Sequence, residues 1–388
     1  MNANPSGGLL EVAASTVLTG VLNYANTLLL GRHLTPNEYG QYAALTALFL
    51  AMTVIPSAVQ QQVALEGARG KTLNIRSLML GGGLSALGLA AITPWLAGTM
   101  GLPSGWLLAL AALMPAYALL GFWRGLLQSQ SQLRALALNW LLEHGLKIAI
   151  TVTLWRFGGL EAAVIGLFAS VLLALCLIPR RANLTRLETK ARAGTQTAQN
   201  ASFNQLAQAA LTQGDLLAAK AFLPANDAGL YAGVSILTRS VTLLSAAVTT
   251  VTLPELARNG PSKRTRMLSS LPIVLGAGLT LASIIAGPEL IAVTLGERYR
   301  NGAGWLTLSS LAATLYATAN TILIARIARD DTTGARGLLL TAAVQAVALA
   351  LWHDQPLTIA TIQAGSLLMF ILVSLRPTQP RTEVRHVL

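Results

Sequence analysis

Long apolar runs separated by short polar turns fill almost the whole chain. Runs of roughly 17 to 25 mostly apolar residues, the length that takes an α-helix across a bilayer, recur near 9–31, 40–63, 77–99, 105–127, 138–157 and 159–179. The pattern then repeats near 206–224, 228–256, 268–295, 303–327, 335–352 and 356–375. Twelve helical spans are predicted. The ninth is the weakest, because Gly287 and Pro288 interrupt it. Between the two sets of six lies RRANLTRLETKARAGTQTAQNASFNQ, residues 180–205, the longest polar stretch. Its composition predicts a solvated linker with room for an amphipathic helix on the membrane surface. Residues 1–179 and 206–388 are therefore expected to form two six-helix bundles of an all-α integral membrane protein.

Composition agrees. Of 388 residues, 53% are hydrophobic and 11% charged, with a mean hydropathy of +0.58. A soluble fold of that length cannot hide so much apolar surface. No short charged region followed by a brief apolar core and an A-x-A site opens the sequence, so the first apolar segment is expected to be a permanent span. The net charge of +12 would suggest nucleic acid in a soluble protein. Here the positions of the charges explain it. With the N-terminus placed inside, twenty of the 27 Lys and Arg fall in alternate loops on the inner side, and only Arg32, Arg156, Arg298 and Arg300 on the outer. Lys and Arg accumulate in cytoplasmic loops, so both termini are expected in the cytoplasm, and no nucleic-acid partner is needed. The single cysteine, Cys176, excludes an intrachain disulfide and is expected to be a packing residue.

An internal repeat underlies the two sets of spans. LTPNEYGQYA at 34–43 corresponds to LPANDAGLYA at 223–232, at an offset of 189 residues. In both copies a span ends, a polar turn follows, and Gly-x-Tyr-Ala opens the next span. Six spans separate the copies, so the two halves enter the membrane in the same direction. Tyr42 and Tyr231 are expected at the membrane interface. Such repeats commonly place a substrate site between them. The same offset pairs Asn26 with Asp215. Thr16, Thr19, Asn23 and Asn26 recur at intervals of 3, 4 and 3, and Gln205, Gln208, Thr212 and Asp215 do likewise, so each set forms a stripe on one helical face. Polar groups at bilayer depth normally face a bundle interior or an aqueous cavity. The seventh span is accordingly expected to line an aqueous path between the halves.

Few other ionisable residues lie within spans: Glu143, His144 and Lys147 in the fifth, Lys220 in the seventh, Arg239 in the eighth, and Arg124 near the inner end of the fourth. The cations Arg124, Lys147, Lys220 and Arg239, with Asn23 and Asn26, are the candidate substrate or cavity residues. Cations away from bulk water would attract a phosphate through charge-assisted bonds. Asp215 and Glu143 are the candidates for coupling or gating. Simpler readings stand beside these: Glu143 and Lys147 at i, i+4 neutralising one another, Lys220 snorkelling to the interface, and His144 packing. The GGG at 81–83 lies inside a span and is expected to serve close helix packing. There is no P-loop, no dinucleotide fingerprint, no H-E-x-x-H and no Cys or His cluster. Neither an enzyme nor a cofactor is indicated, and active transport without an ATP site would draw on an ion gradient or the membrane potential.

Three stretches carry a resemblance. GRHLTPNEYGQYAAL at 31–45, RGLLQSQSQLRALALNWLLEHGLKIAI at 124–150 and GDLLAAKAFLPANDAGLYAGVSILTRSVTLLSAAVTTVTLPELAR at 214–258 are similar to the polysaccharide flippases of the MOP (multidrug/oligosaccharidyl-lipid/polysaccharide) superfamily, the Wzx-type O-antigen and exopolysaccharide translocases. The resemblance implies two parallel-related six-helix bundles forming a V, with a central cationic cavity facing each side of the bacterial inner membrane in turn. It implies an undecaprenyl-pyrophosphate-linked oligosaccharide as substrate, with membrane lipid as surroundings and a polysaccharide polymerase and chain-length regulator as candidate partner proteins. At 388 residues the chain is short for the family, so extra gating helices are not expected. The main rival is a drug or small-solute antiporter, of the multidrug branch or the major facilitator type. EGARGKTLNIR, after the second span, lacks the G-x-x-x-D-R-x-G-R-R pattern of the latter. A membrane polymerase or glycosyltransferase would place a large catalytic loop outside, whereas the longest loop here is assigned to the inside.

Overall fold

The computed structural model describes residues 5–68, 75–179, 195–327 and 333–375, and among them there are helices and turns but no strand. Residues 180–194 of the linker and the basic residues Arg69, Lys71, Arg376, Arg381 and Arg385 lie outside the described residues. The first half holds α1 (Pro5–His33), α2 (Pro36–Met52), α3 (Val54–Ala68), α4 (Ile75–Met100), α5 (Ser104–Ser129), α6 (Leu133–Leu154) and α7 (Gly159–Leu177). The second holds α8 (Thr195–Phe222), α9 (Ala225–Asn259), α10 (Lys263–Leu295), α11 (Ala303–Ile327), α12 (Thr333–Leu351) and α13 (Pro356–Ser374). Helices α2 and α3 form one predicted span, broken at Thr53, whose hydroxyl turns back to the Leu50 carbonyl (2.7 Å). Each predicted span therefore has its helix. The ninth, α10, runs through Gly287 and Pro288 with a kink at Ala286, where φ is −144° and ψ is 39°.

Eight described helical segments are long and apolar enough to cross a membrane. Of the helices not among them, α12 has only a shorter apolar stretch, Gly337–Leu351, while α1, α6 and α8 carry the polar stripes or the charges Glu143, Lys147 and Lys220. Their hydropathy is low because one face of each is turned inward. Apolar side chains cover the outer surface, Leu84, Leu87, Ile285 and Val293 among them, as expected where lipid is the solvent. The protein is a multi-pass membrane protein. Cys176 belongs to that outer surface: it is exposed on α7 beside Leu172, Leu173 and Leu177, and does not pack inside as expected. Of the three glycines at 81–83, only Gly82 meets a neighbouring helix, α5 at Ala118 and Pro115; Gly81 and Gly83 face open space.

Local chemistry sets the element ends that matter. At the entry to α2, Thr35 caps the helix and Glu38 returns the bond to the Thr35 backbone N–H (2.8 Å), with Pro36 in the first turn. This is a capping box, which satisfies two donors that helix starts leave unpaired. Close approach is allowed where side chains are missing. Gly121 and Gly125 on α5 let α3 pack backbone against backbone, the Gly125 position facing the Gln60 carbonyl and Val63. The spacing is the small-xxx-small pattern of membrane helix pairs.

The two halves meet through their repeated hairpins. A side-chain carbon on Gly40 would lie 3.0 Å from the Gly229 Cα, and one on Gly229 would overlap the Pro36 carbonyl. The residues that open α2 and α9 are thus in direct contact, and each is glycine because the partner backbone fills the space. Tyr42 and Tyr231, expected at the membrane interface, are instead 3% and 2% exposed, turned into the interior beside this contact. Charged and polar groups fasten the same end. Arg32 at the end of α1 donates from Nε to the Thr294 carbonyl (2.6 Å) and from Nη2 to the Val293 carbonyl (2.7 Å), capping α10. In return Tyr299 Oη and Arg298 Nη1, in the short turn Glu297–Gly302, donate to the Leu34 carbonyl beyond α1, at 3.2 and 3.3 Å. Each half caps a helix C-terminus of the other, where cations are favoured by the helix dipole.

If this contact holds the halves together, Gly229→Ala should lower the thermal unfolding midpoint of the detergent-solubilised protein, by a free energy of about 1–3 kcal/mol for overpacking. Gly81→Ala, which enters open space, should leave the midpoint in place.

Candidate functional site

The deep charges of the first half are satisfied within it. Arg124 on α5 forms a 2.5 Å ion pair with Glu143 on α6, with side-chain exposures of 6% and 9%. Its Nε donates to Asn139 Oδ1 (2.8 Å), and the Asn139 amide donates to the Ala174 carbonyl of α7 (2.8 Å). One turn further along α6, Lys147 donates to Asn23 Oδ1 on α1. Arg124, Glu143 and Asn139 thus tie α5, α6 and α7 together, and a separate bond from Lys147 to Asn23 ties α6 to α1. The i, i+4 pairing of Glu143 with Lys147 does not form: Glu143 reaches the stronger bidentate-capable partner, and Lys147 turns to a neutral oxygen. His144 hydrogen-bonds to the Trp140 carbonyl of its own helix (3.0 Å). Arg124 is thus not a free cavity cation, as the sequence led us to expect, because the carboxylate beside it already neutralises it.

The repeat-related residues make repeat-related bonds. Asn26 Nδ2 donates to Tyr42 Oη at 3.3 Å in the first half, and Tyr231 Oη donates to Asp215 Oδ2 at 2.9 Å in the second. Donor and acceptor exchange because a carboxylate can only accept. In both halves the first helix is bound to the second through a tyrosine placed sixteen residues on. Asn26 Oδ1 remains buried and unpartnered.

Around Asp215 the second half is less filled. A narrow cavity of about 50 Å³ is bordered by Thr212, Asp215, Tyr231, Arg239, Tyr316 and Gln363. At about 10–15 Å³ of such space per water, that admits a few water molecules and no sugar. Every bordering residue comes from α8, α9, α11 or α13. The expectation that the stripe of α8 lines a path between the halves is therefore corrected: Asp215 and Thr212 open onto the interior of the second half. Asp215 takes its bond from Tyr231 of α9, and α13 is bonded to the α8 backbone. Gln345 donates to Gln363 (2.5 Å), and Gln363 to the Leu211 carbonyl of α8 (2.5 Å).

The cations of the second half differ from those of the first. Arg239 donates to the neutral Gln213 Oε1 (2.9 Å). Lys220 is 8% exposed and, among the described residues, makes no hydrogen bond or ion pair. The side chain is buried, whereas the simpler reading beside a cavity role had it snorkelling to the interface. The structure thus brings Asp215 and Arg239 to one cavity, groups Arg124, Glu143, Lys147 and Asn23 in another place, and leaves Lys220 apart from both.

Reading the sequence alone missed Arg32, Arg298 and Tyr299. A signal was present, because cations on the side that topology keeps poor in them need another reason to be there. All four have one: Arg156 lies 4.8 Å from the Phe157 ring centre, and Arg300 pairs with Glu289 and Glu297.

An all-helical membrane body of two repeat-related halves, joined at equivalent hairpins, is the fold of the MOP-superfamily transporters. Solved structures agree over most of the chain. A lipid II flippase, MurJ, in an inward closed conformation, has a TM-score of 0.71 at 12% identity, covering 94% of this chain and 86% of the other. An inward-facing multidrug resistance MATE family transporter of the MOP superfamily has a TM-score of 0.68 at 12% identity, covering 94% and 95%. A MOP superfamily transporter from Pyrococcus furiosus, described as having a binding pocket of reverse polarity, has a TM-score of 0.60 at 11% identity, covering 96% and 94%. Among curated proteins no sequence matches. The profile of the family described as polysaccharide biosynthesis protein matches residues 8–259, and the chain belongs to that family.

Removing one member of the buried Arg124–Glu143 pair should cost about 3–5 kcal/mol, because the other charge is left uncompensated. Arg124→Ala and Glu143→Gln should each lower the unfolding midpoint and the amount of inserted protein. Arg124→Leu combined with Glu143→Leu should recover much of the loss.

Proposed function

We propose that the protein flips an undecaprenyl-pyrophosphate-linked oligosaccharide repeat unit across the bacterial inner membrane by alternating access, for polysaccharide biosynthesis. Membership of the polysaccharide biosynthesis family carries this reading. The charge distribution supports it: Arg124 and Lys147 have partners within the first half, whereas Arg239 has only a neutral partner and Lys220 none among the described residues. A pyrophosphate that reached Arg239 or Lys220 would meet cations that no carboxylate pairs with directly, and charge-assisted bonds to them strengthen away from bulk water. The lipid tail stays in the bilayer while the head group crosses.

In this proposal residues 1–179 and 206–388 are the two moving bodies, and residues 180–205 tether them on the cytoplasmic side. With both termini in the cytoplasm, the hairpin end faces the periplasm, and the contacts of Gly40, Gly229, Arg32 and Tyr299 close that side. Asp215 couples the change of state to a small cation through its cavity, and Asn26 is its uncharged counterpart. Glu143 takes a structural place beside Arg124 rather than the coupling role. A polysaccharide polymerase and a chain-length regulator would receive the flipped unit. A second reading, a drug antiporter, is favoured by the likeness to the multidrug transporter over 95% of that chain.

The test is export of lipid-linked glycan, read by labelling confined to the periplasm. Arg239→Ala should abolish labelling with the protein still inserted, while Arg239→Lys should keep part of it. Unchanged labelling in Arg239→Ala, together with loss of resistance to a cationic drug, would favour the antiporter.

A further inference from the structure

The helix α10 is the most lipid-exposed of the eight described segments able to cross a membrane: 17% of its apolar stretch is buried, against 50% for α5, α7 and α13. Its outer face is a continuous stripe. Met267, Leu271, Val274, Leu281 and Ile285, between 44% and 76% exposed, recur at intervals of 3, 4 or 7, and Lys263 stands at the head of the same line. Arg264 and Arg266 flank that line in the same first turn, and both are exposed. No acidic residue occupies the turn, and among the described residues none of the three cations makes an ion pair. Glu255, near the end of α9, accepts instead from the Ser262 hydroxyl (3.1 Å). The helix itself does not call for these charges. Its start carries a partial positive charge that disfavours cations, and the Ser262–Thr265 capping box already serves its end. Arg124 and Arg326, at the same face of the bundle, by contrast have acceptors in Glu143 and the Ser374 carbonyl. From Lys263 to Glu289 the helix rises about 39 Å at 1.5 Å per residue, close to the roughly 40 Å of a bilayer with its head-group regions. The first turn of α10 therefore emerges at the level of lipid phosphates.

We infer that the inner end of α10 is a docking surface for an anionic phospholipid of the bilayer, its phosphate held by Lys263, Arg264 and Arg266 and its acyl chains lying along Met267, Leu271 and Val274. The charges are complementary, and the stripe supplies an apolar continuation that a free phosphate would not use. The lipid holds the first turn of a helix whose last turn is capped by Arg32 of the other half, with the kink at Ala286 between the two. The inference is independent of what the protein transports.

The test uses the full chain with its one cysteine removed as Cys176→Ser and a fluorophore attached at Ser270→Cys, an exposed position one turn beyond Arg266. The protein is reconstituted in phosphatidylcholine vesicles that contain brominated phosphatidylglycerol or, separately, brominated phosphatidylcholine, whose bromine quenches the fluorophore on contact. Each Lys or Arg near an anionic lipid is worth about fivefold in association, so three should favour phosphatidylglycerol by about ten- to a hundredfold at low salt. High salt should shrink that preference. Lys263→Gln combined with Arg264→Gln and Arg266→Gln should bring it close to none at an unchanged unfolding midpoint, whereas Arg264→Lys with Arg266→Lys should keep it. Equal quenching by the two lipids with the patch intact, or a preference that survives the triple substitution, would overturn the site. Undecaprenyl phosphate, added as a minor fraction of the lipid, forms the last arm. Unchanged quenching supports a bilayer phospholipid as the occupant; displacement of excess phosphatidylglycerol would give the patch to the prenyl-linked head group and overturn that assignment.

Discussion

The structure depends on the backbone contact between the two repeated hairpins. Gly40 and Gly229 leave no side chain between α2 and α9, so the halves meet as closely as helices can, and apolar lipid offers no hydrophobic force to replace that packing. Arg32 on one side, and Arg298 with Tyr299 on the other, then cap the helix ends that the contact brings together. None of these bonds joins opposite charges. A clamp made of cations on carbonyls can open without stranding a buried counter-ion, which would suit the proposed alternation of this end between closed and open.

Behind that clamp the halves have diverged. Sequence repeat and hydrogen-bond geometry agree that Asn26 and Asp215 are equivalent, yet one is an amide and the other a carboxylate. The first half spends its charges on itself, through Arg124, Glu143 and Lys147. The second keeps a carboxylate, an arginine with a neutral partner and two small cavities. In the proposed flippase, the self-paired charges of one half and the ionisable groups of the other divide the labour between scaffold and coupling.

Much of this could be read from the chain. Span positions follow from hydropathy because lipid punishes any unpaired backbone group, and the repeat follows from ten residues at 34–43 matched at 223–232. The face of α8 that carries Asp215 was legible from its spacing. What that face looks at was not: periodicity gives a direction around one helix and no neighbour. Hence the cavity was expected between the halves and lies within one. The simpler reading of Glu143 set it against Lys147 because they share a helix, whereas its partner Arg124 comes from α5, nineteen residues earlier. Tyr42 and Tyr231 carried a composition suited to the membrane interface, but the glycines two residues before them bring the halves so close that both rings are enclosed.

The central claim is that this chain moves a lipid-linked glycan between leaflets. The most direct measurement reconstitutes the purified protein into vesicles holding an undecaprenyl-pyrophosphate glycan and follows the fraction open to a membrane-impermeant glycosidase or lectin. The account predicts that glycan shielded in the inner leaflet becomes accessible when the folded protein is present and stays shielded in protein-free vesicles. Equal accessibility with and without a protein that retains its native unfolding midpoint would contradict it.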